Sequence, residues 1–341
     1  MGKILYLECN SGISGDMTVG ALLDLGADRQ VLENALESLG VDGYHLHFGR
    51  KVVSGLDAFD FDVHLEEHEH GHEEGHGHEE GHWHEEGHRH EDGHGHEHEH
   101  GHEAGHRHEA GHGHEVGHGH EHEHSHEAGH GHPHPHIHRN LHDIYHIIDR
   151  LDSNERVKEM ARTMFRIVAE AESKAHGLPV EQVHFHEVGA IDSIVDIISA
   201  AVCIDNLGVD DVVVSALSEG HGHVHCQHGV LPVPVPATAN IASSYGLKLH
   251  FTDNDGEMVT PTGAAIAAAL RTKDRLPSSC RLLKVGMGAG NKVFKQANVL
   301  RAMLLETSQE EDRTMWVLET NLDDCTGEML GFVMELLFEA G

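Results

Sequence analysis

A histidine-rich tract from His64 to His138 constrains the fold of this chain more than any other feature. The tract holds 29 of the 41 histidines and 19 acidic residues, against only two basic residues, Arg89 and Arg107. Its seven apolar residues bury too little surface to offset the entropy lost in ordering 75 residues. We therefore expect residues 64–138 to form a disordered insertion.

The other 266 residues have the composition of a globular protein, with about 46% apolar residues. They carry −18 of the net charge of −35, which argues against binding to nucleic acid or to an anionic membrane surface. No apolar run approaches the roughly 18 residues of a membrane span, and the first residues lack the apolar segment of a signal peptide. We therefore expect a cytoplasmic protein. The five scattered cysteines predict neither a disulfide framework nor a thiolate zinc site.

Hydrophobic periodicity predicts strands and helices on both sides of the tract. The predicted strands are 4–7, 44–53, 59–64, 212–217, 297–305 and 315–318, and the predicted helices are 17–25, 31–39, 141–151, 157–175, 191–206, 238–245, 263–270 and about 329–340. Alternate prolines at 232, 234 and 236 predict an extended polyproline segment.

This mixture predicts an α/β (mixed α+β) fold in which one globular domain, residues 1–63 and 139–306, is interrupted by the disordered insertion. A strand and a helix cannot form a core alone, so residues 307–341 are expected to begin a second α+β domain that stays incomplete.

Histidine spacing within the tract suggests metal binding. Every histidine there has an even number, and the unit G-H-x-H-E-x recurs, as at Gly75, Gly81 and Gly87. In an extended chain a period of two projects alternate side chains to one side. Neutral imidazole is a good ligand for divalent nickel, zinc, copper and cobalt. The alternative is a solvated spacer that binds metals only incidentally.

A second histidine cluster lies outside the tract, where His221, His223, His225 and His228 surround Cys226. On an extended segment the first three imidazoles share a face, and three or four of them are within reach of one metal ion. Exposed polar residues on an edge strand give the same pattern, so the spacing leaves both interpretations open.

The segment HFHEVGAIDSIVDII places His184, His186 and Glu187 just before a predicted helix. On that helix Asp192 and Asp196 are four residues apart and share a face. A carboxylate pair on an apolar helix is costly to bury unless it faces water or a cation, so we favour a metal site here. His186, Glu187, Asp192 and Asp196 are its candidate catalytic residues. Asp192 alone can instead complement the helix N-terminus.

Three loops are candidates for phosphate or nucleotide binding. Ser14, Gly15 and Asp16 can present backbone N–H groups to an anion, or they form a tight turn with Asp16 as a cap. The segment VGMGAGNK can cradle a phosphate or be a plain glycine turn. Oxygen ligands in NLDDCTGE suit Mg²⁺ or Mn²⁺ carrying a nucleotide, with a helix-capping loop as the alternative. These residues are Asn321, Asp323, Asp324, Thr326 and Glu328.

The chain resembles the nickel-insertion family of nickel-pincer cofactor biosynthesis (LarC-type) through segments that occur in the family's order. They are LYLECNSGISGDMTVGALLDLG, HFHEVGAIDSIVDII, HGVLPVPVPAT, MVTPTGAAI, VGMGAGNK with NVLR, and ETNLDDCTGE. The resemblance covers essentially everything outside the tract. It implies a lyase-type, CTP-dependent cyclometallase that inserts nickel into pyridinium-3,5-bisthiocarboxylic acid mononucleotide, forming a Ni–C bond and two Ni–S bonds.

The resemblance also implies the reaction partners. Ni²⁺ is the substrate metal, CTP acts with Mn²⁺ or Mg²⁺, and a lactate racemase-type apoprotein accepts the finished cofactor. Nickel handling falls in residues 1 to about 306, and the nucleotide part opens at Asn321. Because family members continue beyond Gly341, the chain is expected to be C-terminally truncated. A nickel storage protein or metallochaperone without turnover is the alternative function, and a homo-oligomer is possible.

Overall fold

A six-stranded mixed sheet organises the part of the chain that the structure describes. This computed structural model describes residues 2–65, 139–183, 185, 191–226, 228–307, 319 and 323–340. The strands are β1 (Gly2–Glu8), β2 (Tyr44–Val53), β3 (Leu56–Leu65), β4 (Asp211–Val214), β5 (Leu217–His221), β6 (His223–Cys226), β7 (Gly229–Pro232), β8 (Leu249–Asp255), β9 (Arg281–Ala289) and β10 (Val299–Thr307). The helices are α1 (Gly15–Leu25), α2 (Arg29–Glu37), α3 (Leu141–Asp149), α4 (Glu155–His176), α5 (Ile191–Leu207), α6 (Pro236–Tyr245), α7 (Pro261–Leu270) and α8 (Gly327–Ala340).

The sheet has the strand order β2-β3-β9-β10-β1-β4. Strand β1 pairs antiparallel with β10 and parallel with β4, and β9 pairs antiparallel with β10. The antiparallel hairpin of β2 and β3 joins β9 through a parallel contact between Phe59 and Gly288. Strands β5 and β8 form a separate parallel pair, and β6 and β7 an antiparallel one. This arrangement confirms the predicted α/β (mixed α+β) class.

One hydrophobic core joins the sheet to the helices. Leu5 and Leu7 of β1 are fully buried, together with Leu22 of α1 and Ile198 of α5. Helix α5 is apolar on most of its surface because it packs against α1, α2 and α4. This packing holds the N-terminal ends of α1 and α5 in place, and those ends form the site described below.

Helix α1 approaches β9 closely because two glycines face it. A Cβ at Gly288 would overlap the carbonyl oxygen of Met17 and lie 2.5 Å from the nitrogen of Ala21. A Cβ at Gly286 would lie 2.5 Å from the nitrogen of Leu25. These two glycines of VGMGAGNK therefore serve helix–strand packing, and neither the phosphate-cradle nor the glycine-turn interpretation describes them.

Most predicted elements are confirmed, and the differences have local causes. The sequence does not predict β8, because LHFTDND is mostly polar. It does not predict β9 either, because the glycines at 286 and 288 interrupt the alternation in RLLKVGMGA and suggest a loop. The predicted continuous polyproline segment is wrong, since Pro232 ends β7 and Pro236 is the first residue of α6. Proline is suited to the first position of α6, because a backbone N–H in the first helical turn would have no partner within the helix and proline has none to lose. The strand predicted at 315–318 lies outside the described residues.

The boundary of the tract differs slightly from the prediction. Strand β3 continues through Leu65, so His64 belongs to the sheet and not to the insertion. Residues 66–138 lie outside the described part of the chain, and their predicted disorder stays a prediction. The described chain resumes at Arg139, and the side chain of Asn140 caps α3 by accepting the N–H groups of His142 and Asp143.

Among the described residues, no helix combines the length and the apolarity needed to cross a membrane. Among the described helices, α8 has the largest number of exposed apolar side chains, including Phe338, which is 80% exposed, and Phe332, which is 62% exposed. The described part of the chain therefore leaves the apolar surface of α8 uncovered.

Candidate functional site

The N-terminal ends of three helices, α1, α5 and α7, line one cavity of about 430 Å³. Strand β3 and the loops after β8 and β9 complete its wall. We call it the acidic cavity, and its lining residues are Ser14, Gly15, Asp16, Asp62, Val63, Asp192, Ser193, Asp196, Glu257, Thr260, Pro261, Thr262 and Asn291. Because partial positive charge accumulates at helix N-termini, this arrangement brings that charge and several carboxylates to one place.

Two loops of the cavity are bonded to each other. The N–H of Ile13 donates to the carbonyl of Met258 at 3.1 Å, and the N–H of Thr260 donates to the carbonyl of Ile13 at 3.1 Å. Gly12 lies against the carbonyl of Met258 in a left-handed conformation, with φ of 83°, where a side chain would not fit. The loop before α1 and the loop before α7 therefore hold a fixed relative position.

The buried carboxylate of Glu219 holds the second of these loops. Its Oε1 accepts the N–H groups of Met258 at 2.8 Å, Gly220 at 2.9 Å and Val259 at 3.3 Å. Its Oε2 is buried and has no hydrogen-bond partner in the described part of the chain. Burial raises the pKa of Glu219, and the three backbone donors only partly oppose that rise. Glu219 thus fixes the segment that includes the lining residue Glu257.

Asp196 of α5 is bound to the first turn of α1. Its carboxylate accepts the backbone N–H of Asp16, and a Cβ at Gly15 would overlap it. Ser14 occupies the N-cap position of α1 but does not cap the helix, because its hydroxyl donates to the carboxylate of Asp16. Asp196 therefore supplies the acceptor that an N-cap side chain usually provides.

The carboxylates of the cavity repel one another. Burial raises the pKa of Asp196 well above the ordinary value of an aspartate, and the charges of Asp16, Asp192 and Asp62 raise it further. Burial also raises the pKa of Asp16, although hydrogen bonds to its carboxylate oppose the shift. The buried Oδ1 of Asp196 has no hydrogen-bond partner in the described chain. A cation in the cavity would relieve this repulsion.

Two lysines bond to residues of the cavity wall. Lys51 Nζ lies 2.5 Å from Oδ1 of the lining residue Asn291 and 2.8 Å from Oδ1 of Asp60. Lys292 Nζ lies 3.2 Å from Oε2 of the lining residue Glu257. Positive side chains therefore neighbour the cavity on the side of β3 and the loop after β9, where an anionic ligand can compete for them.

The structure unites two predicted sites that the sequence presents separately. Ser14, Gly15 and Asp16, predicted to bind an anion, line the same cavity as Asp192 and Asp196, predicted to bind a metal. Three further predicted members, His184, His186 and Glu187, lie outside the described residues, so their place in this site stays a prediction.

The predicted histidine cluster at 221–228 does not form a single extended segment. His221 ends β5 and is separated from β6 by Gly222, which has a φ of 85°. His223 and His225 share the exposed side of β6, and the ring of His228 lies 5.0 Å from that of His176 in α4.

None of His221, His223, His225 and His228 lines the acidic cavity. Moreover, no group of three or more histidine, cysteine, aspartate or glutamate side chains is already arranged to hold a metal ion among the residues that the structure describes. Any metal site built from these residues therefore requires side-chain movement, residues outside the described set, or ligands from the substrate.

The predicted cation-binding loop lies at the start of α8. The Thr326 Oγ1 accepts the N–H of Met329 at 3.4 Å, as the helix-capping alternative predicts. Asp323, Asp324 and Glu328 are exposed, whereas Asn321 lies outside the described residues. Nucleotide and cation binding by this loop stays a prediction.

Sequence reasoning missed two acidic residues of the cavity, Asp62 and Glu257. Alternation of Asp60 and Asp62 with Phe59 and Phe61 does indicate a strand with one polar face. Nothing in the sequence, however, indicates that this face lies beside helices more than a hundred residues away. Contacts of that range depend on the sheet topology.

Residues 5–341 match the family described as "Nickel insertion protein". The whole chain is 47% identical to the pyridinium-3,5-bisthiocarboxylic acid mononucleotide nickel insertion protein of Alkaliphilus metalliredigens, covering 73% of it. It is 33% identical over its whole length to the protein of that name from Staphylococcus epidermidis strain ATCC 12228, covering 69%. A putative nickel insertion protein of Geobacter sp. strain M21 is 38% identical over 99% of this chain and 71% of its own length. No solved structure matches significantly.

Proposed function

This chain belongs to the nickel insertion protein family, and from that membership we propose that it inserts nickel into pyridinium-3,5-bisthiocarboxylic acid mononucleotide at the acidic cavity. The observation that carries the proposal is the grouping of Asp16, Asp62, Asp192 and Asp196 at the N-terminus of α1. Carboxylates attract a divalent cation, and helix N-termini attract an anion. The cavity therefore offers complementary charge to both reactants.

The size of the cavity suits the second reactant. Its volume of about 430 Å³ falls in the range of roughly 300–1,000 Å³ that is usual for small-molecule sites. The precursor is a mononucleotide with two thiocarboxylate groups, so all three of its acidic groups are anionic at neutral pH. Backbone N–H groups at the starts of α1 and α7 are suitable donors to such groups.

Ligand softness favours transfer of the metal in one direction. Sulfur ligands are softer than carboxylate and imidazole ligands, and we expect Ni²⁺ to bind the thiocarboxylate sulfurs more tightly than the oxygen and nitrogen ligands of the protein. The two thiocarboxylate sulfurs of the precursor therefore take the ion from the acidic wall and retain it. Formation of the Ni–C bond releases a proton from the ring carbon. We assign the acid–base work to His186, Glu187, Asp192 and Asp196, with His184 as a further metal ligand.

The proposal extends to the rest of the chain. Residues 1–63 and 139–306 form the nickel-handling part, the histidine tract collects Ni²⁺, and residues 307–341 begin a part that binds CTP with Mn²⁺ or Mg²⁺. Asp323, Asp324, Thr326 and Glu328 are the described residues that this part contributes. The reaction is then a CTP-dependent, lyase-type metal insertion in the cytoplasm, and its product passes to a lactate racemase-type apoprotein.

The test incubates the purified chain with precursor, Ni²⁺, Mn²⁺ and CTP, and follows the nickel-containing product by mass spectrometry. Asp192→Asn and Asp196→Asn should each lower its rate of formation by about tenfold or more. Asparagine at 196 keeps an acceptor for the Asp16 N–H, so the fold should survive, as circular dichroism will check. The control Asp274→Asn removes the same charge from a side chain that is 80% exposed and does not line the cavity. Unchanged rates in both cavity variants would contradict the proposal.

A storage or metallochaperone function is the second candidate, because 29 histidines in one tract exceed what a single insertion site needs. Nickel binding without product, even after addition of the remaining part of a longer relative, would favour it. Product that appears only after that addition would instead support insertion by two cooperating parts.

A further inference from the structure

Three histidines lie together on one face of the β2–β3 hairpin. In the strand register His45 pairs with His64, and His47 pairs with Asp62. The rings of His45 and His64 are stacked, with centroids 5.0 Å apart, and those of His47 and His64 are 6.0 Å apart, edge to face. All three histidines are exposed. Because residues two apart in a strand share a face, this grouping follows from the antiparallel register.

The opposite face of the hairpin is apolar. Phe48 and Phe61 contact each other there, and Leu46 and Val63 pack with them on the core. The alternation therefore places the three imidazoles on the polar face, where a metal ion from solution can reach them.

The polar face continues into the acidic cavity. Asp62, the cross-strand partner of His47, is a lining residue, and its carboxylate interacts with those of Asp16 and Asp196. The ring of His47 lies over Gly49, and its Nε2 is 3.7 Å from Oδ2 of Asp60. Imidazole and carboxylate side chains therefore form a continuous row from His64, near the end of β3, to Asp62 in the cavity wall.

Directly opposed residues of an antiparallel pair have Cβ atoms about 4.5–5.5 Å apart, which allows two imidazoles to bind the same ion. Borderline divalent ions such as Ni²⁺ and Cu²⁺ prefer imidazole nitrogen. The stacked rings of His45 and His64 do not converge on a point as they stand, consistent with the lack of a preformed three-residue metal cluster in the described chain. Rotation of exposed rings is fast, and two or three ligands leave positions open for water or a next ligand. Such a site would bind a divalent metal ion reversibly.

We propose that His45, His47 and His64 form a divalent-metal site on the hairpin face that leads to the acidic cavity. Passage of the ion from this site to the cavity rests on the proposed function, whereas binding at the site does not.

The test uses the 341-residue chain with His→Gln at every histidine from His68 to His138, so that the tract no longer dominates metal binding. Nickel bound per chain is measured by equilibrium dialysis for this parent and for His45→Gln and His64→Gln in it. Each variant should lose about one nickel equivalent. His250→Gln, on an exposed residue of β8 outside the hairpin, should lose none. Copper with ascorbate should oxidise His45, His47 and His64, located by peptide mass spectrometry.

Unchanged nickel binding in both variants, or oxidation spread equally to His250, would overturn the site. Product formation at limiting Ni²⁺ then tests passage separately. A severalfold lower rate in His64→Gln, with no change in His250→Gln, supports passage, and equal rates refute it while leaving the binding result intact. If the parent forms no product even at saturating Ni²⁺ and after addition of the remaining part of a longer relative, the proposed function fails, and the dialysis still decides the metal site.

Discussion

Gly288→Ala tests the conclusion that the glycines of VGMGAGNK serve packing. A Cβ at position 288 would overlap the carbonyl oxygen of Met17 and lie 2.5 Å from the nitrogen of Ala21. Ordinary contacts of a Cβ begin near 3.4 Å, so α1 would have to move away from β9 by roughly 1–1.5 Å, the larger shift being needed at the Met17 oxygen. The obstructing atoms are backbone, and no side-chain rotation can relieve the overlap.

The expected loss follows from these distances. Overpacking typically costs about 1–3 kcal/mol, and a backbone obstruction belongs at the upper end of that range. Replacing glycine also lowers the conformational entropy of the unfolded chain, which stabilises the folded state by about 0.5–1 kcal/mol. We therefore expect a net loss of about 2 kcal/mol in the free energy of unfolding, or a lowering of Tm by about 4–8 °C.

Urea unfolding followed by circular dichroism measures the loss. The control is Gly331→Ala in α8, where no described atom lies within 4 Å of the added Cβ and alanine should be neutral or stabilising. If Gly288→Ala unfolds within about 0.5 kcal/mol of the parent chain, the packing argument is refuted. A variant of normal stability that has lost binding to an anionic ligand would instead restore the phosphate-cradle interpretation.

Three further outcomes follow from the structure. Because burial raises the pKa of Glu219, the contribution of this residue to stability is fully present below about pH 4, where an unfolded glutamate is protonated, and is lost as the pH rises through the raised pKa. Glu219→Gln should remove that loss in urea midpoints measured across the range. Burial raises the pKa of Cys9 and Cys203 to about 12, so iodoacetamide should alkylate exposed Cys280 in the native protein and reach the other two only after unfolding, as peptide masses will show. Arg162→Met breaks three ion pairs with exposed carboxylates and should cost less than about 1 kcal/mol in thermal unfolding, and a loss above about 2 kcal/mol would contradict this.

Local sequence signals predicted the elements whose periodicity is strong. The alternation in β2 and β3 and the apolar stripe of α4 are set by neighbours in the sequence, so the linear pattern alone is enough to recognise them. Strand β9 was not predicted because its glycines are required by the close approach of the α1 backbone, and α1 is a neighbour only in the tertiary structure. For the same reason VGMGAGNK, considered alone, was open to a phosphate-binding interpretation.

The candidate site divides in a similar way. Asp192 and Asp196 could be predicted, because a carboxylate pair on an apolar helix is unusual within the sequence itself. Asp62 and Glu257 could not, since each is an ordinary polar residue of a strand or loop. Their importance arises only where the sheet and α7 bring them to the same cavity.

The sequence by itself determined the fold class, the position of the histidine tract and the family resemblance, because composition, periodicity and ordered motifs are properties of the linear chain. The tertiary structure decided which motifs share a site. It joined the loop before α1 to the carboxylates of α5, and it placed His64 in β3 beside His45. Such groupings depend on sheet register and helix packing, which are set by contacts between residues far apart in the sequence.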